Sequence, residues 1–149
     1  MPHPPTLPFL VYGTLRPGGG NDRLWHGHAE VIRYATEIPG YRLVHNGGFP
    51  YAIPDVDSTS IGSIIQPTPS RYASILSRLD ALEGYPHHYD RVPATTSCGV
   101  ECWIYVPTGW RRVAATHPEV PGNDWMTFTE ERRFDRALRG GYHREEVEA

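Results

Sequence analysis

The chain has 149 residues, of which 39% are hydrophobic, and carries a formal net charge of -3 with a pI near 6.2. That length and apolar content suit one domain (1–149) with one ordinary core, and no internal repeat or low-complexity segment divides it. The 14 Lys and Arg are scattered and outnumbered by 17 Asp and Glu, which leaves no electrostatic footprint for nucleic acid and points to a small-molecule partner.

In chain order, the opening MPHPPTLPFL lacks the charged and apolar segments of a signal peptide, and no apolar run approaches the roughly 20 residues of a membrane span. A cytoplasmic protein with no membrane partner is expected, as a monomer or weak homodimer. The 15 Pro and 15 Gly point to many short elements joined by turns, a mixed β fold with a few helices. The first strand is predicted over Phe9 to Tyr12, four aromatic or β-branched-biased residues that stop at Gly13. A glycine-rich turn follows, then a short turn or helix around Asp22 to His26, strands near Ala29 to Thr36 and Tyr41 to Val44, and a tight turn at Asn46-Gly47-Gly48. SIGSIIQP reads as a further strand ended by Pro67.

The clearest helix comes next: Thr68 can cap it, Pro69 suits its first position, Tyr72, Ile75, Leu76, Leu79 and Leu82 recur at helical spacing, and Gly84 and Pro86 end it. YDRVPATTSCGVECWIYVP then reads as a β-hairpin. Its second strand puts Glu101, Trp103 and Tyr105 on one face and Cys102, Ile104 and Val106 on the other. Cys98 and Cys102, four apart in what reads as strand, would lie about 13 Å apart, too far for a disulfide, so two reduced, partly buried thiols are expected. A capping box at Thr127 and Glu130 suggests a short terminal helix, followed by a frayed, charged end within 126–149.

Glu83 stands out chemically. It lies four residues past Leu79 and eight past Ile75, so it shares the apolar face of the helix. Burial disfavours the ionised carboxyl, and so does the negative end of the helix dipole; both push its pKa toward neutrality, the state a general acid/base requires. The alternative is a side chain turned to solvent or paired with Arg78, Arg91 or another arginine. The glycine turn has the Gly13 and Gly18 spacing of a phosphate loop, but Gly19 and Gly20 stand where its lysine and hydroxyl would be. What remains is either an ordinary surface turn or a backbone whose exposed N–H groups suit a carboxylate or a developing oxyanion. The eight histidines do not form a metal pattern: adjacent His87 and His88 diverge, and Cys98 and Cys102 are too far apart to share one tetrahedral ion. No G-x-S-x-G elbow supports a serine hydrolase.

Several ordered stretches carry a resemblance: VYGTLRPGGGN at the opening strand and its Y-G-[ST]-L loop, GGFPYAI at a central G-G-[YF]-P, LDALEGYPHHYDR at an L-D-x-[LYF]-E-G-x-x-x-x-Y-x-R signature, CWIYV at a later strand, and PGNDW as an imperfect G-D-W. Together, over roughly Phe9 to Trp125, they resemble the γ-glutamylcyclotransferase-like family, including its γ-glutamylamine cyclotransferase branch. The resemblance implies an α+β fold, a compact mixed β-barrel-like sheet flanked by short helices, with a core over about 9–125. It implies Glu83 as the catalytic glutamate, Tyr12, Gly13, Thr14 and Leu15 as the loop that grips a γ-glutamyl group, and Tyr105 as a cavity wall. It further implies release of 5-oxoproline and an amine or amino acid from a γ-glutamyl amide, with no cofactor and no metal. A non-catalytic module for an acidic metabolite, or removal of a γ-glutamyl protecting group in a biosynthetic pathway, are the alternatives. The chain departs from the family pattern at Ser63, where many relatives have a glutamate, and at Asn123, inserted between Gly122 and Asp124.

Overall fold

In the computed structural model, which describes residues 6–140, the short strand β1 (Phe9–Val11) is the centre of a five-stranded sheet. Beside it run β2 (Ala29–His45) and β3 (Pro50–Pro67), a long antiparallel hairpin, and β4 (Tyr89–Thr95) and β5 (Glu101–Pro107), a shorter one. The order is β2-β3-β1-β5-β4, with β1 antiparallel to β3 and parallel to β5. The mixed α+β architecture is the expected one, and its barrel-like sheet is open: β2 and β4 are its two edges. Each edge is the outer strand of its own hairpin. Register shifts in the β2–β3 pair bend that hairpin until β2 comes alongside β4, where the Glu37 carbonyl accepts from the Ser97 N–H at 2.9 Å just beyond β4, but no ladder joins the two edges.

The same register shifts explain why two predicted strands are one. Irregularities between Val31 and Arg33, Arg33 and Thr36, and Pro39 and Tyr41 absorb the proline, which has no N–H to donate, and the ladder resumes on the other side. The predicted SIGSIIQP strand is the second half of β3, and Pro67 is indeed its last residue, opposite Ala29.

Strand alternation builds two cores, one on each face of the sheet. Phe9, Val11, Ile65 and Tyr105 pack with Trp25, Tyr72, Ile75 and Leu79, whereas Leu10, Ile64, Cys102, Ile104 and Val106 pack with Leu43, Val120 and Trp125. The predicted division of the CWIYV strand is therefore the observed one. Tyr72, Ile75 and Leu79 are the buried stripe of α1 (Tyr72–Glu83), while Leu82 is 53% exposed. Thr68 does not cap this helix. Its N–H and hydroxyl both donate to the His28 carbonyl, and Pro69 opens a separate 3-10 turn, Pro69–Arg71. Gly84 closes α1 in the left-handed conformation (φ 71°), where its N–H donates to the Ala81 carbonyl and that of Tyr85 to the Asp80 carbonyl.

A helix absent from the sequence expectations, α2 (Trp110–Thr116), follows β5. The terminal helix α3 (Trp125–Gly140) has 16 residues and begins before Thr127, so the predicted capping box is displaced. Asp124 is the capping residue: its carboxylate accepts from the Thr127 N–H at 3.3 Å and hydroxyl at 3.0 Å. The predicted charged end beyond it lies outside the described residues. Of the two free thiols, only Cys102 is in a strand and it is buried; Cys98 sits exposed in the β4–β5 turn. Among the described residues no helix is long and apolar enough to cross a membrane.

Candidate active site

The chain leaves β1 at Val11 and folds back on itself in hydrogen-bonded turns: Arg16 N–H donates to the Gly13 carbonyl at 3.0 Å, and Asn21 N–H to the Thr14 carbonyl at 2.8 Å. Asn21 also donates from its amide to the Thr14 hydroxyl, and the Trp25 indole to the Leu15 carbonyl. Arg16, only 4% exposed, fastens this loop from beneath. Its Nε donates to Ser63 Oγ at 3.1 Å and its Nη1 to Asp124 at 3.0 Å. Ser63 in turn donates to the Tyr34 carbonyl at 2.6 Å. The two places where the sequence departs from the family pattern therefore border the anchor of the loop.

Gly13 is dictated by packing, since a Cβ there would fall 2.8 Å from Pro50 Cδ. Among the described residues the backbone N–H groups of Gly13, Thr14 and Leu15 have no protein acceptor. These three residues, Tyr12, Tyr105 and Glu83 all line one cavity of about 440 Å³. The sequence-predicted site residues are thus brought together. The Gly18-Gly19-Gly20 run is not among them; it lines a neighbouring cleft against α3, and the opening glycine run therefore does not floor the cavity as a whole.

Glu83 is the last residue of α1 and is half-buried, its carboxyl pushed up to about 7 by burial. Among the described residues no hydrogen bond or ion pair reaches it. Of the arginines named as alternative partners, Arg91 goes instead to Asp80, with Nε and Nη2 donating to the two carboxylate oxygens at 3.0 and 3.2 Å. Tyr105 also donates to Asp80, at 2.6 Å, so its hydroxyl is committed to the wall; Tyr12 donates to the Tyr105 carbonyl at 2.7 Å. Burial raises the phenol pKa values of Tyr12, Tyr89 and Tyr105, with Asp80 adding to the effect at Tyr105 and Glu83 at all three. All three phenols therefore stay neutral near pH 7, and Glu83 is the lining group able to exchange a proton there.

The structure adds lining residues that the sequence reading did not place at the site. Tyr89, Phe49, Pro50, Leu82 and Asn21 all line the cavity. Phe49 and Pro50 stand in the quoted GGFP and Asn21 in the quoted loop, so position in those stretches was the available signal. The Asn46 to Asp57 stretch contributes Gly48, Phe49 and Pro50 to the lining, whereas Pro86 to His88 contributes nothing. Among the described residues the arrangement is a largely apolar chamber with one carboxyl that titrates near neutrality, unpaired backbone donors on the loop, and no lining Lys, Arg or His.

Comparison with known proteins bears on the family and the fold. A family model described as "Gamma-glutamyl cyclotransferase, AIG2-like" matches residues 9–127. The fold is similar to that of an uncharacterised protein from Pyrococcus horikoshii, with TM-score 0.64 and 20% identity over 86% of this chain and 97% of that one. An AIG2-like protein from Mus musculus is similar at TM-score 0.62 and 22% identity, over 76% of this chain and 84% of that one. A structure titled gamma-glutamyl cyclotransferase is similar at TM-score 0.51 and 14% identity, over 76% and 69%. No curated protein sequence matches this chain closely enough to name as a relative.

Proposed function

From the premise that the chain belongs to the gamma-glutamyl cyclotransferase, AIG2-like family, we propose that it converts a γ-glutamyl amide to 5-oxoproline and a free amine, with Glu83 moving the protons. The observation that carries this reading is an unpaired carboxyl with a pKa of about 7 in the same cavity as a loop with unpaired N–H groups.

In the reaction the α-amine of the substrate attacks its own γ-carbonyl, the C–N bond of a five-membered lactam forms, and the original amide C–N bond breaks. The nucleophile belongs to the substrate, so no covalent enzyme intermediate is needed. Glu83 as carboxylate takes a proton from the attacking nitrogen, and as carboxylic acid returns it to the leaving nitrogen; a pKa near the working pH serves both steps. The Gly13–Leu15 turn contributes donors for the α-carboxylate or for the oxyanion that develops on the γ-carbonyl. Holding a flexible glutamyl chain in the folded shape is itself worth up to about 7–11 kcal/mol of barrier in well-oriented intramolecular reactions. The phenol and aromatic walls exclude water and keep the Glu83 pKa high.

The test is a panel of γ-glutamyl amino acids, γ-glutamyl amines and γ-glutamyl-ε-lysine offered to the purified protein, with 5-oxoproline assayed directly. Turnover of at least one member is expected. Tight binding of a panel member without 5-oxoproline from any of them would instead identify a binding module.

A further inference from the structure

The glycine run that does not floor the Glu83 cavity forms one wall of a second cleft, of about 250 Å³, whose other wall is α3. Arg132, Arg133 and Arg136 line it opposite Gly18, Gly19 and Gly20. Thr14 and Gly48 line both hollows, so the cleft opens beside the cavity and does not stand apart from it.

The charge on α3 is sorted by face. Arg132, Arg133 and Arg136 share the cleft side with Trp125 and Thr129, while Glu130, Glu131 and Asp135 line a different hollow with Phe134. Sorting places like charges four residues apart twice, at Arg132/Arg136 and at Glu131/Asp135, an arrangement that destabilises a helix relative to alternating signs. Among the described residues no carboxylate lies within 4.0 Å of any of the three guanidinium groups. Arg132 is held in place: it donates to the Gly47 carbonyl at 3.1 Å and lies over the Phe128 ring at 4.5 Å. Among the described residues the side chains of Arg133 and Arg136 have no hydrogen-bond partner, and neither does the Gly20 N–H. Asp22, the carboxylate on the loop side, accepts from the Gly18 N–H at 2.8 Å and is thereby occupied. A Cβ on Gly19 would run into the Thr14 carbonyl of the same loop, so the turn that forms this wall can close on itself only with glycine there.

We infer that this cleft is an anion subsite that holds a carboxylate or phosphate on the amine the reaction releases, so that the substrates are γ-glutamyl amides with an acidic leaving group. The inference rests on the cyclotransferase reading above. Guanidinium groups and a free backbone N–H recognise both anions by the same charge-assisted hydrogen bonds, and the shared rim at Thr14 and Gly48 lets one molecule span both hollows.

The full-length protein and its Arg133→Gln/Arg136→Gln variant decide the matter. Release of 5-oxoproline is measured from γ-glutamyl-ethylamide, γ-glutamyl-alanine and γ-glutamyl-O-phosphoethanolamine, which present no charge, a carboxylate and a phosphate. In the wild type kcat/KM for at least one acidic substrate exceeds that for the ethylamide by about tenfold or more, one bidentate charge-assisted contact's worth. Which of the two does so identifies the anion. In the variant the ratio falls toward one. Equal kcat/KM in the wild type, or an undiminished ratio in the variant, overturns the subsite. Inorganic phosphate titrated calorimetrically into both proteins separates the two readings if nothing is turned over. Arginine-dependent phosphate binding without 5-oxoproline then keeps the subsite and sinks the cyclotransferase, and phosphate binding that ignores the two substitutions sinks the subsite.

Discussion

Asp80 and Glu83 are carboxylates one helical turn apart at the end of α1, and their surroundings could hardly differ more. Around Asp80 every oxygen is engaged: Tyr105 donates to one at 2.6 Å and Arg91 to both, and the Arg91 guanidinium is itself sandwiched 4.7 Å from the Tyr85 ring and 4.9 Å from that of Trp103. Around Glu83 there are phenols and aliphatic carbon, with no partner among the described residues and a pKa of about 7. The first carboxylate ties the helix to β4 and β5. The second is kept at a cost in stability, because the fold gives it nothing to offset its burial. One region is built for stability and the other for proton exchange, and substitution should separate them.

The largest effect is on turnover. Glu83→Gln keeps size and shape but cannot accept a proton, so kcat should fall by at least about 10²-fold, the low end for general acid/base catalysis. In the wild type, kcat/KM should rise with pH through a limb centred near 7, because the free enzyme needs the carboxylate to take the first proton. A Gln variant with near-normal kcat, or a limb near 4, would show that the protons move elsewhere.

Next in size is a stability effect of opposite sign. The folded-state pKa of Glu83 lies above its unfolded value, so between pH 4.5 and about 7 the folded chain holds a proton that the unfolded chain has released. Stability therefore falls as pH rises through that window and levels off above it. A shift of this size corresponds to about 3 kcal/mol at most. Glu83→Gln should lose that dependence, and denaturant melts at pH 8 should find it more stable than the wild type by up to that amount. A less stable Gln variant at pH 8 would mean the carboxylate has a stabilising partner after all.

The sequence carried the parts of this site that depend on local pattern. Helical spacing put Glu83 on the same side as Ile75 and Leu79, strand alternation divided Trp103 and Tyr105 from Cys102 and Ile104, and the ordered motifs set Tyr12 to Leu15 against Glu83. What it could not carry was pairing between distant residues. Nothing near Arg16 announces that it will reach Ser63, 47 residues on, and Asp124, 108 residues on. Nothing local decides that Arg91 goes to Asp80 and leaves Glu83 alone, since both carboxylates stand within the same motif. Whether a barrel-like sheet closes is a matter of the same kind: β2 approaches β4 without pairing with it, a question of accumulated bend to which no short stretch speaks. Nor does any local signal tell that Gly18, Gly19 and Gly20 line a second cleft, because their neighbour across it, α3, lies more than a hundred residues away in sequence.

The Asp80 side of the comparison gives the smallest effect and the cleanest contrast. Asp80→Asn preserves shape and one acceptor for the Tyr105 hydroxyl, but it leaves the Arg91 guanidinium between two rings with no counter-charge. The pair is only partly exposed, 13% at Arg91 and 21% at Asp80, so the loss should exceed that of a surface ion pair and amount to roughly 1–3 kcal/mol. Melts at pH 8 should thus move in opposite directions for two conservative substitutions three residues apart, down for Asp80→Asn and up for Glu83→Gln. If both move down, Glu83 belongs to the same structural network as Asp80, and the case for a carboxyl reserved for chemistry fails with it.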